Sequence, residues 1–206
     1  NGKQVLPPAY GTDLGGVFKL GKKIFLQSAF WYLWLQQEFV YVGDEGVVEA
    51  GGQTRRYGFD LSARYEVAKN LYADLDISLA NPRALDVPKS ESYLPLAPRF
   101  TSVGGLTYRK IEGWNGSLRY RFMDNRPANE NYSMVAKGYL VVDAAVNYAA
   151  KNWEAGLSIQ NLLNTKWKET QFDTESQLQN EPVPVSEIHF TAGSPFFARA
   201  SFTIFF

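Results

Sequence analysis

Apolar and polar residues alternate with a period of two over most of the chain, the pattern of half-exposed strands rather than helices. In the last run, Phe196, Ala198, Ala200, Phe202, Ile204 and Phe206 share one face. Arg199, Ser201 and Thr203 share the other, with Phe205 the exception. Residues 137–150 set Leu140, Val142, Ala144, Val146 and Tyr148 against Val141, Asp143, Ala145 and Asn147. Trp153, Ala155, Leu157 and Ile159 oppose Glu154, Gly156, Ser158 and Gln160, and Tyr57, Phe59, Leu61, Ala63 and Tyr65 oppose Gly58, Asp60, Ser62 and Arg64. Leu71, Ala73, Leu75, Ile77 and Leu79 oppose Asp74, Asp76 and Ser78, and Trp114, Leu118, Tyr120 and Phe122 oppose Asn115, Ser117, Arg119 and Arg121. The pattern predicts nine strands, over 10–20, 23–35, 55–67, 70–82, 97–110, 113–124, 138–149, 152–163 and 196–206.

Most of these strands reach the roughly 9–11 residues that cross a bilayer when tilted, longer than the about five or six typical of soluble proteins. Their connections alternate in length. Tight turns fall at Gly21-Lys22, Ala68-Lys69, Ile111-Glu112 and Ala150-Lys151, and long loops at about 36–54, 83–96, 125–137 and 164–195. Short turns on one rim and long loops on the other describe an outer-membrane barrel with the long loops outside the cell. The charged face, with Asp60, Arg64, Asp74, Asp76, Arg119, Arg121 and Arg199, becomes the lumen, and the apolar face meets lipid. Tyr57, Tyr65, Trp114, Phe122, Tyr148 and Trp153 lie near strand ends, where aromatic girdles form. The competing reading of the alternation is a soluble sandwich, one face of each sheet buried and one wet.

Composition agrees with the barrel. Aromatics make up 15% of the 206 residues, yet mean hydropathy is only −0.26, as expected where every second residue faces lipid. Twenty-one basic residues balance 21 acidic ones, which argues against a nucleic-acid partner. The absence of cysteine excludes disulfides and thiol chemistry. Nine is an odd number, whereas bacterial single-chain barrels have even counts. The count, and a start without Met or an apolar signal region, lead to the expectation that further strands precede Asn1.

Three stretches carry a family resemblance. Residues 140–172, LVVDAAVNYAAKNWEAGLSIQNLLNTKWKETQF, resemble the C-terminal region of TonB-dependent outer-membrane receptors, and NLLNTKW is similar to their strand-ending NLF[ND]xxY element. YLPLAPRFTSVGGLTYRK resembles their penultimate hairpins, and RRYGFDLSARYEVAKNLYADLDISLA their hairpin repeat. Phe202, Ile204 and Phe206 resemble the terminal signal read by the outer-membrane assembly machinery. The element departs from the family in Leu163, where Phe is usual. The resemblance implies an all-β, transmembrane, antiparallel up-and-down barrel of about 22 strands. Residues 1–206 would form its C-terminal part, with the plug domain and the TonB-contacting segment elsewhere in the receptor. It implies active uptake of a scarce nutrient such as a ferric siderophore. Implied partners are outer-membrane lipid, the rest of the receptor, the TonB complex and a small metal chelate. The C-terminus would be periplasmic, and no cofactor or enzymatic activity is implied. The alternative is a small autonomous barrel with a structural or adhesive role.

Candidate sites are few. A lone His189 is a weak metal ligand, since a metal site wants several converging donors. Ser186 and Ser194 with His189 lack the spacing that would reveal a nucleophile, base and orienting partner. Asp44-Glu45, between Gly43 and Gly46, reads as a turn before it reads as a calcium site. Asp74 and Asp76 are expected to pair with lumenal arginines beside Arg119 and Arg121, and the resemblance implies polar contacts there with the plug. The loop aromatics Phe39, Tyr41, Tyr93, Tyr132, Trp167 and Phe172, with Arg83 and Arg126, are candidates for touching a flat, anionic chelate.

Overall fold

The structure, a computed structural model, describes residues 6–42 and 47–206, and side chains outside 40–50. Asp44 and Glu45 lie outside the described residues. Nine strands follow one another in chain order, each antiparallel to the next. They are β1 (Ala9–Leu20), β2 (Ile24–Leu35), β3 (Thr54–Ala68), β4 (Leu71–Ala80), β5 (Phe100–Tyr108), β6 (Gly113–Met123), β7 (Tyr139–Ala149), β8 (Trp153–Gln160) and β9 (Phe197–Ile204). All nine expected strands are present, with ends moved by a few residues. The eighth stops at Gln160 rather than 163 because Asn161 takes a left-handed φ of 50° and turns the chain out of the sheet. Two short turns use the same left-handed conformation, at Gly21 (φ 65°) and Asn70 (φ 67°).

Register makes the two faces continuous. Leu20, Ile24, Tyr65, Ala73, Leu106, Leu118, Ala144, Ile159 and Ala198 are successive cross-strand partners, an unbroken apolar row across all nine strands. One residue along, the row reads Tyr72, Thr107, Ser117, Ala145, Ser158 and Arg199. The apolar row starts at the short-turn end of β1 and finishes at the long-loop end of β9. That drift is the stagger a tilted barrel wall requires.

No second layer packs on the sheet among the described residues. The buried apolar side chains are few (Leu94, Ala128, Ala136 and Val141), while Leu14 is 78% and Phe202 65% exposed. A sandwich would bury one face of each sheet against another, so the sandwich expectation has no counterpart here. Aromatic contacts line both rims of the apolar face. Trp114, Tyr148, Trp153 and Phe202 form a chain at the short-turn rim, with centroids 5.3, 5.5 and 5.8 Å apart. Tyr10–Trp34, Phe30–Phe59 and Phe100–Phe122 pair toward the long-loop rim. β2 departs from the two-faced rule. Its Trp31 lies on the polar face over Gly58, where an added Cβ would stand 2.5 Å from the indole.

The long connections carry structure that alternation does not reveal. Residues 39–42 pair with 47–50, 126–127 with 135–136, and 168–176 with 185–192. Arg83-Ala84 pairs with Thr54-Arg55, lengthening the sheet beyond the end of β4.

Candidate functional site

Charge on the polar face is organised into pairs within the wall. Asp74, Gly105 and Arg119 are neighbours across β4, β5 and β6. Gly105 has no side chain, so Arg119 reaches over it and donates Nη1 and Nη2 to the two Asp74 oxygens at 2.8 Å each. This is the forked geometry that makes arginine–carboxylate pairs strong. A Cβ on Gly105 would stand 2.3 Å from the Leu118 carbonyl oxygen and 3.2 Å from Arg119 Cγ. The next row has Val103 between Asp76 and Arg121, and the two do not meet. Asp76 instead accepts from Arg64 at 2.9 and 3.1 Å and from Ser62 Oγ. Arg121 turns to Asp143 at 3.5 Å. Beside these, Ser78 Oγ donates to Asp60 at 2.7 Å. The expected arginine partners are therefore present, with Asp76 on Arg64 rather than on Arg121.

Arg119 and Asp74 are 45% and 19% exposed, so water screens the pair. In a double-mutant cycle with Asp74→Asn and Arg119→Gln, measured by urea unfolding of the full-length protein in bilayers, the coupling should be about 1 kcal/mol. Additive effects would show the fork to be energetically silent.

Above this band, the long-loop end is tied together by polar contacts. Asn161, 1% exposed, accepts the Thr165 N–H at 2.8 Å and donates Nδ2 to the Thr165 and Ser194 carbonyls at 2.9 and 3.0 Å. Its own N–H donates to Asp143 Oδ1 at 2.9 Å. Gln171, equally buried, exchanges two 2.8 Å bonds with the backbone of Lys137. Asn129 Nδ2 donates to Asp173 at 3.0 Å, and Gln53 N–H to Asp86 at 2.9 Å. The Asn161 and Gln171 bonds brace the segments that carry a small aromatic and cationic cluster at the mouth of the polar face. Trp167 packs on Tyr139 with ring centres 4.9 Å apart and planes tilted by 54°, and the Arg121 guanidinium stands 5.6 Å from the Trp167 ring centre. The indole N–H is fixed by the Ser194 carbonyl at 3.0 Å.

The sequence candidates separate into distinct places. Trp167 joins the mouth cluster. Phe39 is exposed, and the Tyr41 side chain lies outside the described set. Phe172 sits opposite His189 in the hairpin of 168–176 and 185–192, with His189 exposed. Ser186 donates to Asp173, and because it stands three positions before His189 on one strand, the two project to opposite faces. Ser194 serves through its carbonyl. Arg126 is buried at the base of its loop, its Nη1 3.1 Å from Met123 Sδ, and that burial lowers its pKa. Arg83, Tyr93 and Tyr132 come together, the Arg83 guanidinium 3.9 Å over Tyr93 and the two tyrosine rings 5.1 Å apart. They do so away from Trp167, because Arg83 pairs with Arg55 on the apolar side. Phe202, Ile204 and Phe206 are exposed on the apolar side of β9 and just beyond it. No group of three or more His, Cys, Asp or Glu fit to hold a metal ion occurs among the described residues. Sequence reasoning missed Tyr139, Asp143, Asn161 and Gln171. Only Asn161 left a signal, as the first residue of NLLNTKW.

Comparison with known proteins agrees with this architecture. No curated protein matches the chain. Among solved structures, it resembles the ferric-catecholate import receptor Fiu from K12 E. coli at 16% identity and a TM-score of 0.70, covering 96% of this chain and 27% of that one. It resembles the ferric yersiniabactin uptake receptor FyuA from Yersinia pestis at 13% identity and 0.71, covering 96% and 30%. It resembles the copper transporter OprC at 20% identity and 0.64, covering 93% and 30%. At these identities the likeness is one of fold, and the chain spans less than a third of each of those proteins. The family described as TonB dependent receptor-like, beta-barrel matches residues 9–162, and with its two-faced, staggered, all-antiparallel wall the chain belongs to that family.

Proposed function

We propose that this chain is the C-terminal wall sector of a TonB-dependent receptor in a Gram-negative outer membrane, importing a ferric siderophore or another metal chelate. The observation that carries this reading is the apolar row running unbroken across all nine strands, on a sheet whose outer strands β1 and β9 are each bonded on one side only. Such a sheet needs lipid on one face and further strands at both edges. In this reading the remaining strands complete a barrel of about 22, and a plug folded in its lumen packs against the Arg64, Asp74, Asp76 and Arg119 band. TonB acts on a segment outside these residues. The long loops are extracellular, the last strand ends at the periplasmic rim, and Phe202, Ile204 and Phe206 form the terminal signal for barrel assembly.

The mouth cluster supports the substrate class. Arg121 over Trp167, with Tyr139 beside it, offers a cation and two ring faces to a flat anionic chelate. The similar structures are named as receptors for ferric catecholate and ferric yersiniabactin and as a copper transporter, so iron and copper chelates are the cargo to test.

Two measurements test the reading. The intact mass of the mature protein from isolated outer membranes should be several-fold above the 23.2 kDa of this chain. A mass near 23.2 kDa would instead make it a small barrel in its own right. Cells carrying the full-length protein should then accumulate radiolabelled iron from ferric-siderophore or copper from copper-chelate mixtures, and lose that uptake when TonB is deleted. Uptake indifferent to TonB for every chelate tried would overturn the transport reading.

A further inference from the structure

Arg55 and Arg83 are direct cross-strand partners. Arg55 follows Trp34 and Tyr10 in register, which places both arginines on the apolar face, at its long-loop rim. Like charges placed directly opposite are destabilising. A lipid-facing position makes an uncompensated charge costlier still. Among the described residues neither arginine has an ion-pair partner. Arg55 Nε is buried without a hydrogen-bond acceptor. The pair is held in place by rings: Arg55 stands 5.6 Å from the centre of Tyr57 and Arg83 3.9 Å from that of Tyr93. These are two fixed guanidinium groups whose shared need is an anion.

What lies below them identifies its carrier. Tyr57 also lines a groove of about 490 Å³ floored by Phe30, Phe59, Leu79 and Phe100, all on the apolar face, with Tyr132 as a wall. Asn81 donates Nδ2 to the Tyr57 hydroxyl at 2.7 Å and keeps Oδ1 buried and unpartnered, an acceptor for a hydroxyl group. Arg99 and Asp124 at the groove's edge are one charge of each sign, so the arginine pair remains uncompensated. Cations above, an acceptor between and an aromatic floor below match the layers of a phosphorylated lipid, from headgroup to acyl chain.

We propose that Arg55 and Arg83 bind the phosphate of a phosphorylated, hydroxyl-bearing lipid headgroup in the leaflet on the long-loop side, its acyl chain lying over Phe30, Phe59 and Leu79. The site is on the opposite face from the mouth cluster, so it is a lipid site and not part of cargo binding. It rests on the membrane reading above. Arginine suits the task because its fork grips a phosphate with two parallel bonds and keeps its charge in an apolar setting.

The test uses the full-length protein in nonionic detergent and native mass spectrometry. The probes are a diphosphorylated acyl-disaccharide lipid, its enzymatically dephosphorylated counterpart, and inorganic phosphate. Wild type should retain the phosphorylated lipid at least about tenfold more tightly than the Arg55→Gln/Arg83→Gln variant, the effect of losing charge-assisted bonds to phosphate. Arg55→Lys/Arg83→Lys should recover part of the affinity, and Arg199→Gln, on the polar face, should bind as wild type. The dephosphorylated lipid should bind weakly to all. Equal retention by wild type and the double glutamine variant overturns the site, as does equal binding of the two lipids. So does binding of inorganic phosphate without the lipid, which makes it a plain anion site. If the protein carries a detergent belt yet retains neither lipid, the site falls and the membrane reading stands. If it takes up no detergent, both fall.

Discussion

Leu157→Arg should remove most of the protein from the outer-membrane fraction, whereas Ser158→Glu, one residue along, should leave it there. Leu157 is the cross-strand neighbour of Val146 and Ala200 in mid-strand, on the apolar face. An arginine near the bilayer midplane costs a transmembrane barrel about 2–4 kcal/mol. Ser158 pairs with Arg199 on the polar face, where a glutamate gains a cation. Refolding into phospholipid vesicles under a urea gradient reads both costs directly. A third variant separates lipid from protein as the neighbour of Leu157. Leu157→Trp should change stability by less than about 1 kcal/mol, because lipid yields to the larger ring, while a packed interior would charge about 1–3 kcal/mol for overpacking. Equal losses for Leu157→Arg and Ser158→Glu would mean that the two faces see the same solvent, and the barrel reading would go with them.

The pairing of those two positions explains why so much of the wall was legible in the sequence. A period of two on a sheet with lipid on one side leaves a trace at every residue, because a slip of one place would exchange Leu157 for Ser158. The loops lack that constraint. Lys168–Ser176 reads KETQFDTES, polar on both sides of the strand, and its pairing with 185–192 has no apolar stripe to announce it. The same reasoning separates the ion pairs. Asp74 and Arg119 were legible as opposite charges on one face, but which acid meets which arginine depends on what stands between them. Gly105 opens one path and Val103 blocks the other, and a register is needed to see either. Arg83 shows the limit most plainly. In the sequence it is a cation in a loop, a fair candidate for touching cargo, and only its pairing with Arg55 turns it to the other side of the wall.

The second large effect should come from Asn161→Ala. The side chain is buried, and three of its bonds, to the Thr165 N–H and the Thr165 and Ser194 carbonyls, vanish together. Each buried group left without a partner costs about 1–3 kcal/mol. Alanine must also hold the left-handed φ of 50°, a conformation that asparagine tolerates far better. The sum is a loss of about 3–5 kcal/mol, seen as a lowered urea midpoint. Asn161→Asp is the sharper comparison. It keeps the shape and the acceptor for Thr165 but points a carboxylate at two carbonyl oxygens, with Asp143 against its own backbone N–H. It should lose as much as alanine at neutral pH and recover as the medium is acidified, since protonation removes the repulsion and restores a donor. Because Ser194 also fixes the Trp167 indole, freeing that carbonyl should loosen the Trp167–Tyr139 contact. Hydrogen exchange of residues 161–196 should rise in both variants while that of β3 and β4 stays as in wild type. A variant that melts uniformly would place Asn161 in the stability of the whole wall, and one that exchanges as wild type would show that the clamp holds nothing.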